Sequence, residues 1–300
     1  MTERPSGQQH VLRAGDATAV VTEVGGGVRA FRVGDVEVLD GFGEEAMCDG
    51  ARGQSLLPWP NRVADGQWSW RGRDLQLALT EPPARNAIHG LTRWANWELV
   101  ELGPGSVHLR FRLHPQPGWP FPLRCDLRYA LEARGLTVRT TLTNIGGEDA
   151  PVAAGAHPYL SAGGGLVDDC VLTVPAARYL PTDDRGLPLQ VLPVEGTESD
   201  FRDGRRLAAQ ELDQSFGDLD PEPVVRLERP DGETVELWAG EGYRWLEVFT
   251  GDTLAPERRR RGLGVEPMTA PPNALATGTD LVVLAPGEQL DLAWGVRLSS

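Results

Sequence analysis

The chain contains no lysine: all 29 of its basic residues are arginines. That absence excludes reactions that run through a lysine imine, as in Schiff-base aldolases and pyridoxal-phosphate enzymes. It also excludes ordinary P-loop kinases, whose lysine contacts phosphate. Isoleucine is almost as scarce, with Ile88 and Ile145 alone, and a GC-rich coding sequence accounts for both scarcities. Cys48, Cys125 and Cys170 lie far apart, without the paired spacing of a zinc site or a disulfide framework, and read as buried free thiols of a reducing cytosol. No stretch approaches the roughly 18 apolar residues of a membrane span, and Met1 to His10 lack the apolar core of a signal peptide. The expected location is the cytoplasm. With 43 acidic residues against 29 basic, the net charge of -14 repels nucleic acid and anionic membranes, so neither is an expected partner. A small neutral or locally captured substrate fits better.

Helix signals are also nearly missing. Period-two alternation dominates, as in Val107 to Leu113 and Leu136 to Thr143, and marks half-buried strands. Phe31 to Val38 and Val224 to Leu237 carry Gly34-Asp35 and Asp231-Gly232 between apolar runs, the residues that tight hairpins need. Trp68 to Leu77, Leu123 to Asn144 and Leu281 to Leu298 repeat the theme. Arg205 to Leu212 could form little more than two helical turns, or equally a loop. The 36 glycines and 24 prolines are spread evenly, with no linker between halves. The expectation is one all-β domain spanning residues 1–300, built of packed antiparallel sheets with very little helix.

Against this background three polar-centred segments stand out: Asn86-Ala87-Ile88-His89-Gly90, Ala156-His157-Pro158-Tyr159 and Gly264-Val265-Glu266-Pro267-Met268. Two imidazoles and a carboxylate beside turn residues make an acid/base set that needs no cofactor. Glu266, among apolar neighbours, is expected to be partly desolvated with its pKa raised, as suits a general base. Pro158 holds His157 extended, and Tyr159 suits a pocket wall. Trp59, Asn61 and Arg62 join an aromatic, an amide and a planar guanidinium in one rigid turn, a set suited to stacking on a sugar and holding its hydroxyls. Asp213 can accept hydrogen bonds from vicinal hydroxyls or cap a helix. His10, His108 and His114 read as structural, and the run Arg258 to Arg261 as a solvated loop.

Taken in order, Asn61-Arg62, Asn86-x-x-His89-Gly90, His157-Pro158-Tyr159, Leu212-Asp213, Phe249-Thr250-Gly251 and Glu266-Pro267 resemble the aldose 1-epimerase (galactose mutarotase) family over roughly residues 15 to 298. The resemblance implies a β-supersandwich whose concave face holds a sugar, as a monomer or homodimer, with no metal or cofactor. It implies that Glu266 takes the proton of the anomeric hydroxyl while His157 donates one to the ring oxygen, a carboxylate and an imidazolium of similar pKa set at opposite edges of one pyranose. His89 would hydrogen-bond near the ring oxygen, and Arg62, Asp213 and Asn61 would hold hydroxyls. Glu247 stands where relatives often have a glutamine that contacts the sugar. Arg52-Gly53 and His89 to Arg93 are similar instead to the hexose-6-phosphate epimerase branch, where arginines at such positions grip the phosphate. The implied activity is interconversion of the anomers of an aldohexose. Two alternatives are a mutarotase for a C6-phosphorylated or sulfonated hexose, with Arg93 on the anion, and a catalytically silent sugar-binding module.

Overall fold

The computed structural model describes residues 3–299, and its regular secondary structure is almost entirely antiparallel strand. Twelve strands form one sheet, whose path runs from Gln9–Ala14 through Tyr159–Ser161, Gly262–Met268, Trp245–Phe249 and Asp213–Leu219 to Leu192–Pro193. Nine form a second, from Glu98–Leu102 through Ser106–Leu113, Leu123–Leu131, Gly135–Asn144 and Gln289–Ser299 to Arg205–Arg206. Alternation along these strands sends every second side chain into the space between layers. Val107, Tyr129, Val138 and Trp294 stand in register across four strands and are at most 2% exposed. Burying each such side chain contributes about 1.5–3 kcal/mol.

The two hairpins at Gly34-Asp35 and Asp231-Gly232 form as expected, between Val28–Val33 and Val36–Leu39 and between Val224–Glu228 and Thr234–Ala239. The Leu281 to Leu298 segment does not fold back on itself: Val282–Leu284 pairs with Ala150–Val152, and Gln289–Ser299 with strands of the second sheet. Arg205 to Leu212 is not a helix. Arg205–Arg206 pairs with the Val171–Thr173 strand, and Ala208 sits at φ 47°, a left-handed conformation that breaks a right-handed helix. The single α-helix among the described residues is the one turn Ala274–Thr277. Nor is the arginine run simply solvated. Arg260 is buried on Asp168 and Asp252, and Arg258 reaches Asp40 and the carbonyl of Gly41. All three cysteines are free. Among the described residues no helix is long and apolar enough to cross a membrane.

The Gly262–Met268 strand positions the chemistry. Every residue of it is buried: Leu263 and Val265 join the apolar core, and alternation puts Glu266 on the opposite face, where it lines a cavity.

Candidate active site

A short ladder, Arg62–Ala64 against Asn86–Ile88, fixes the first half of the site. Just beyond the Arg62–Ile88 end of it, Asn61 and His89 both adopt left-handed backbone conformations, φ 53° and φ 61°. Gly90 follows in the same region, and a Cβ there would lie 2.1 Å from the carbonyl oxygen of Leu57, so only glycine fits. The N–H of His89 donates to the carbonyl of Asn61 at 3.0 Å, and the N–H of Asn61 donates to Nδ1 of His89 at 3.2 Å. An Nδ1 that accepts a hydrogen bond carries no proton. Neutral His89 is therefore the Nε2–H tautomer.

Glu266 belongs to the Gly262–Met268 strand, and His157 to the link between Gly155–Ala156 and Tyr159–Ser161, both of which pair with that strand. The N–H of Val265 donates to the carbonyl of Pro158, and Tyr159 pairs with Gly264, which sets the two side chains on one face. Nε2 of His157 lies 3.0 Å from Oε1 of Glu266, and the rings of His89 and His157 meet edge to face at 5.3 Å. Behind His157 the Tyr159 ring stacks at 5.0 Å and 4°, and the Arg52 guanidinium covers that ring in turn at 3.9 Å. The carboxylate and imidazole are thus side by side, not at opposite edges of a ring as expected.

Electrostatics also differ from the expected matched pair. Burial, reinforced by Arg93 and Arg52, pushes His157 down to about 3. Burial, reinforced by Glu247 and Asp213, raises Glu266 well above the ordinary carboxylate range. A dry site opposes charge on both, so the shifts run in opposite directions and draw a shared proton toward the carboxylate and away from the imidazole. Burial and the nearby Arg93 likewise keep His89 neutral, with its pKa well below the usual imidazole value.

These groups line a cavity of about 210 Å³, smaller than the ~300–1,000 Å³ of drug-sized sites and suited to one small polar molecule. Of the residues singled out from sequence, Asn61, Arg62, His89, Arg93, His157, Tyr159, Asp213 and Glu266 meet there. Trp59 does not: it is buried against Trp119, with ring centroids 5.9 Å apart, and offers no stacking face to the cavity. Glu247 lies outside the lining, buried in the sheet where Ser215 Oγ donates to its Oε2. Asp213 caps no helix; it begins a strand and pairs with Arg62 at 3.3 Å. Arg52 is no phosphate grip either, since Asp40 and Asp49 already hold its guanidinium, which is 1% exposed.

Sequence reasoning missed Glu81. Its carboxylate holds Arg62 through Nε at 3.0 Å and Nη2 at 3.2 Å, and accepts from Nδ2 of Asn86 at 2.9 Å. Burial opposes the charge on Arg62, yet Asp213 and Glu81 outweigh it and raise its pKa. Nothing local marks Glu81, which stands in a turn before two prolines; only the fold brings it to Arg62.

One atom each of His89, His157 and Glu266 lies within 4.8 Å of the others, a spacing that a metal ion could bridge. The tautomer argues against it. A ligating histidine normally donates its second ring N–H to an acceptor, whereas Nδ1 of His89 faces a donor and Nε2 already carries the proton. The set fits proton transfer and hydrogen-bond donation instead.

The aldose 1-epimerase family profile matches residues 8–295. The uncharacterized protein YihR of Escherichia coli K12 is 33% identical over 284 residues, covering 94% of this chain and 91% of its own length. Among solved structures, the GalM/aldose epimerase homologue of C. elegans is 18% identical, with a TM-score of 0.86 over 97% of this chain and 98% of that one. A galactose mutarotase-like protein of Clostridium acetobutylicum, also 18% identical, has a TM-score of 0.83 over 97% and 94%. The two structures establish that the fold is the galactose mutarotase-like one.

Proposed function

The chain belongs to the aldose 1-epimerase family, and on that premise we propose that it interconverts the α and β anomers of an aldohexose such as glucose or galactose. The reading is carried by one observation, the 3.0 Å adjacency of His157 Nε2 and Glu266 Oε1 on a cavity that also holds His89 and Arg62. Ring opening removes the proton of the hydroxyl on C1 and delivers one to the ring oxygen, which is bonded to the same carbon. An acceptor and a donor side by side suit that geometry. The proton of O1 passes to Glu266, the C1–O5 bond breaks, and O5 takes a proton from His157, leaving the open aldehyde. Rotation about C1–C2 and the reverse transfers close the other anomer.

This cycle needs one exchangeable proton on the pair, and the directions of their pKa shifts support that count. The acid and neutral imidazole that these directions favour are the state left after opening; the sugar's hydroxyl dipoles and Arg62 would favour the ion-pair form that starts the next turnover. His89, fixed as an Nε2–H donor, would steady the developing charge on a ring or anomeric oxygen. Arg62 and Asp213 would hold hydroxyls, with Asn61 beside them. Polarimetry on freshly dissolved α-glucose and α-galactose tests this: relaxation faster than in buffer is expected. Binding of either sugar without acceleration would favour a silent sugar-binding module.

A second reading, a mutarotase for a hexose with a C6 phosphate or sulfonate, rests on Arg93. Its Nε donates to Gln54 at 3.0 Å, while its two Nη atoms hydrogen-bond to no described residue and the side chain lines the cavity. An unpaired guanidinium is a bidentate anion grip. Faster relaxation of glucose 6-phosphate than of glucose, lost in Arg93→Ala without loss on glucose, is the expected signature.

A further inference from the structure

Three neighbouring strands place Ser215, Glu247 and Glu266 in one row across the sheet: Ser215 pairs with Glu247, and Glu247 with Glu266. They are 0%, 1% and 2% exposed. Directly opposed residues have Cβ atoms about 4.5–5.5 Å apart, and like charges there are destabilising. In a dry interior two such carboxylates cannot both stay ionised at ordinary cost. Glu247 is outside the cavity lining, so protein alone determines its charge state. From the Asp213–Leu219 strand it faces Ser215 and Asp213, and from the Gly262–Met268 strand Glu266. The nearest cation, Arg62, is already committed to Glu81 and Asp213, and His157 beyond Glu266 is uncharged. Among the described residues no cation is hydrogen-bonded to Glu247.

We propose that Glu247 is a positioning residue that works as an uncharged carboxylic acid, keeping the Glu247–Glu266 pair at no more than one negative charge and setting the alkaline limit of the reaction. The inference rests on the reading of Glu266 as the acid/base group. Burial first, then Asp213, push Glu247 up to about 8, against the opposing pull of Ser215 and Arg62. Below that pH, Glu266 exchanges its proton beside a neutral neighbour. Above it, a second buried negative charge faces Glu266, raises its proton affinity further, and disfavours the ionised form that must accept the proton of O1.

The decisive variant is Glu247→Gln, an amide of the same shape that cannot ionise. Buffer-corrected kcat/KM, followed from pH about 6 to about 9.5, should fall about tenfold per unit on the alkaline side in the wild type. In Glu247→Gln it should drop only a few-fold at neutral pH and show no such fall. An unmoved alkaline limb in the variant overturns the proposal. Carbon-13 carboxyl NMR gives a readout that needs no catalysis. One glutamate resonance of the wild type should titrate near pH 8, vanish in Glu247→Gln, and titrate at higher pH in Ser215→Ala, which removes the hydrogen bond favouring the charged form. If no glutamate titrates in that range, the proposal fails even for an active enzyme. If the wild type accelerates no anomer exchange, the reading of the site fails instead, while the titration still judges Glu247.

Discussion

Asn61 and His89 hold each other in left-handed backbone conformations through two reciprocal hydrogen bonds, N–H of His89 to the carbonyl of Asn61 and N–H of Asn61 to Nδ1 of His89. Strained residues kept in place by their surroundings are common at functional sites. Here the second bond also decides a tautomer, so the imidazole presents an N–H to the cavity and no lone pair. His89→Leu should lower kcat by about 10²-fold, the scale of losing one donor at a developing charge, whereas His89→Gln, which can still donate, should retain more. Nitrogen-15 shifts of the ring should report the neutral Nε2–H form at pH 6.5, where an ordinary imidazole is half protonated, because burial holds its pKa well below that usual value. A protonated His89 at that pH would contradict the assignment.

Glu266→Gln keeps the shape of the strand and removes the proton acceptor. Because Glu266 exchanges its proton only along the reaction coordinate, kcat should fall by about 10²–10⁴-fold while KM changes little. Initial rates at several sugar concentrations separate the two parameters. Retained kcat would move the acid/base role to another group.

Much of this arrangement is legible in one dimension and part of it is not. Alternation in Val107 to Leu113 and Leu136 to Thr143 exposes the strands because their period is local, and Gly34-Asp35 and Asp231-Gly232 mark hairpins for the same reason. His89, His157 and Glu266 stand out because polar groups beside turn residues in apolar surroundings are unusual. Trp59 misleads: a neighbouring turn does not reveal that the side chain points into the core against Trp119. Arg52 misleads likewise, since the Asp40 that holds it lies past the end of another strand, twelve residues earlier. Glu81 and the row from Ser215 to Glu266 depend wholly on which strands become neighbours, which no local pattern encodes. Even the charge states follow from burial that only the folded chain creates.

Glu81 gives Arg62 its shape. Two contacts to one carboxylate orient the planar guanidinium so that its remaining edge meets Asp213 and the cavity. Removing the negative charge in Glu81→Gln frees the guanidinium to collapse onto Asp213, away from a hydroxyl. Sugar KM should rise by about 10-fold, or ~1.4 kcal/mol, with kcat close to that of the wild type. Saturation kinetics check this, and an unchanged KM would remove Arg62 from substrate binding.

His157 makes the stability of the protein depend on pH in a calculable direction. Its folded pKa, near 3, is depressed from 6.5, so the stability it contributes is present above pH 6.5 and is lost as pH falls from there toward 3. Glu266, raised above 4.5, acts in the opposite sense and loses stability as pH rises through its folded value. Between pH 4.5 and 6.5 the two groups therefore act in opposite directions, and their slopes oppose one another. His157→Gln removes one slope and leaves the other. Urea unfolding at pH about 7.5 and about 5 should then show the wild type losing about 2 kcal/mol relative to the variant, at ~1.4 kcal/mol per pH unit below 6.5. Equal pH dependence in the two proteins would mean that His157 is charged in the folded state, and the preference of the shared proton for the carboxylate would have to be abandoned.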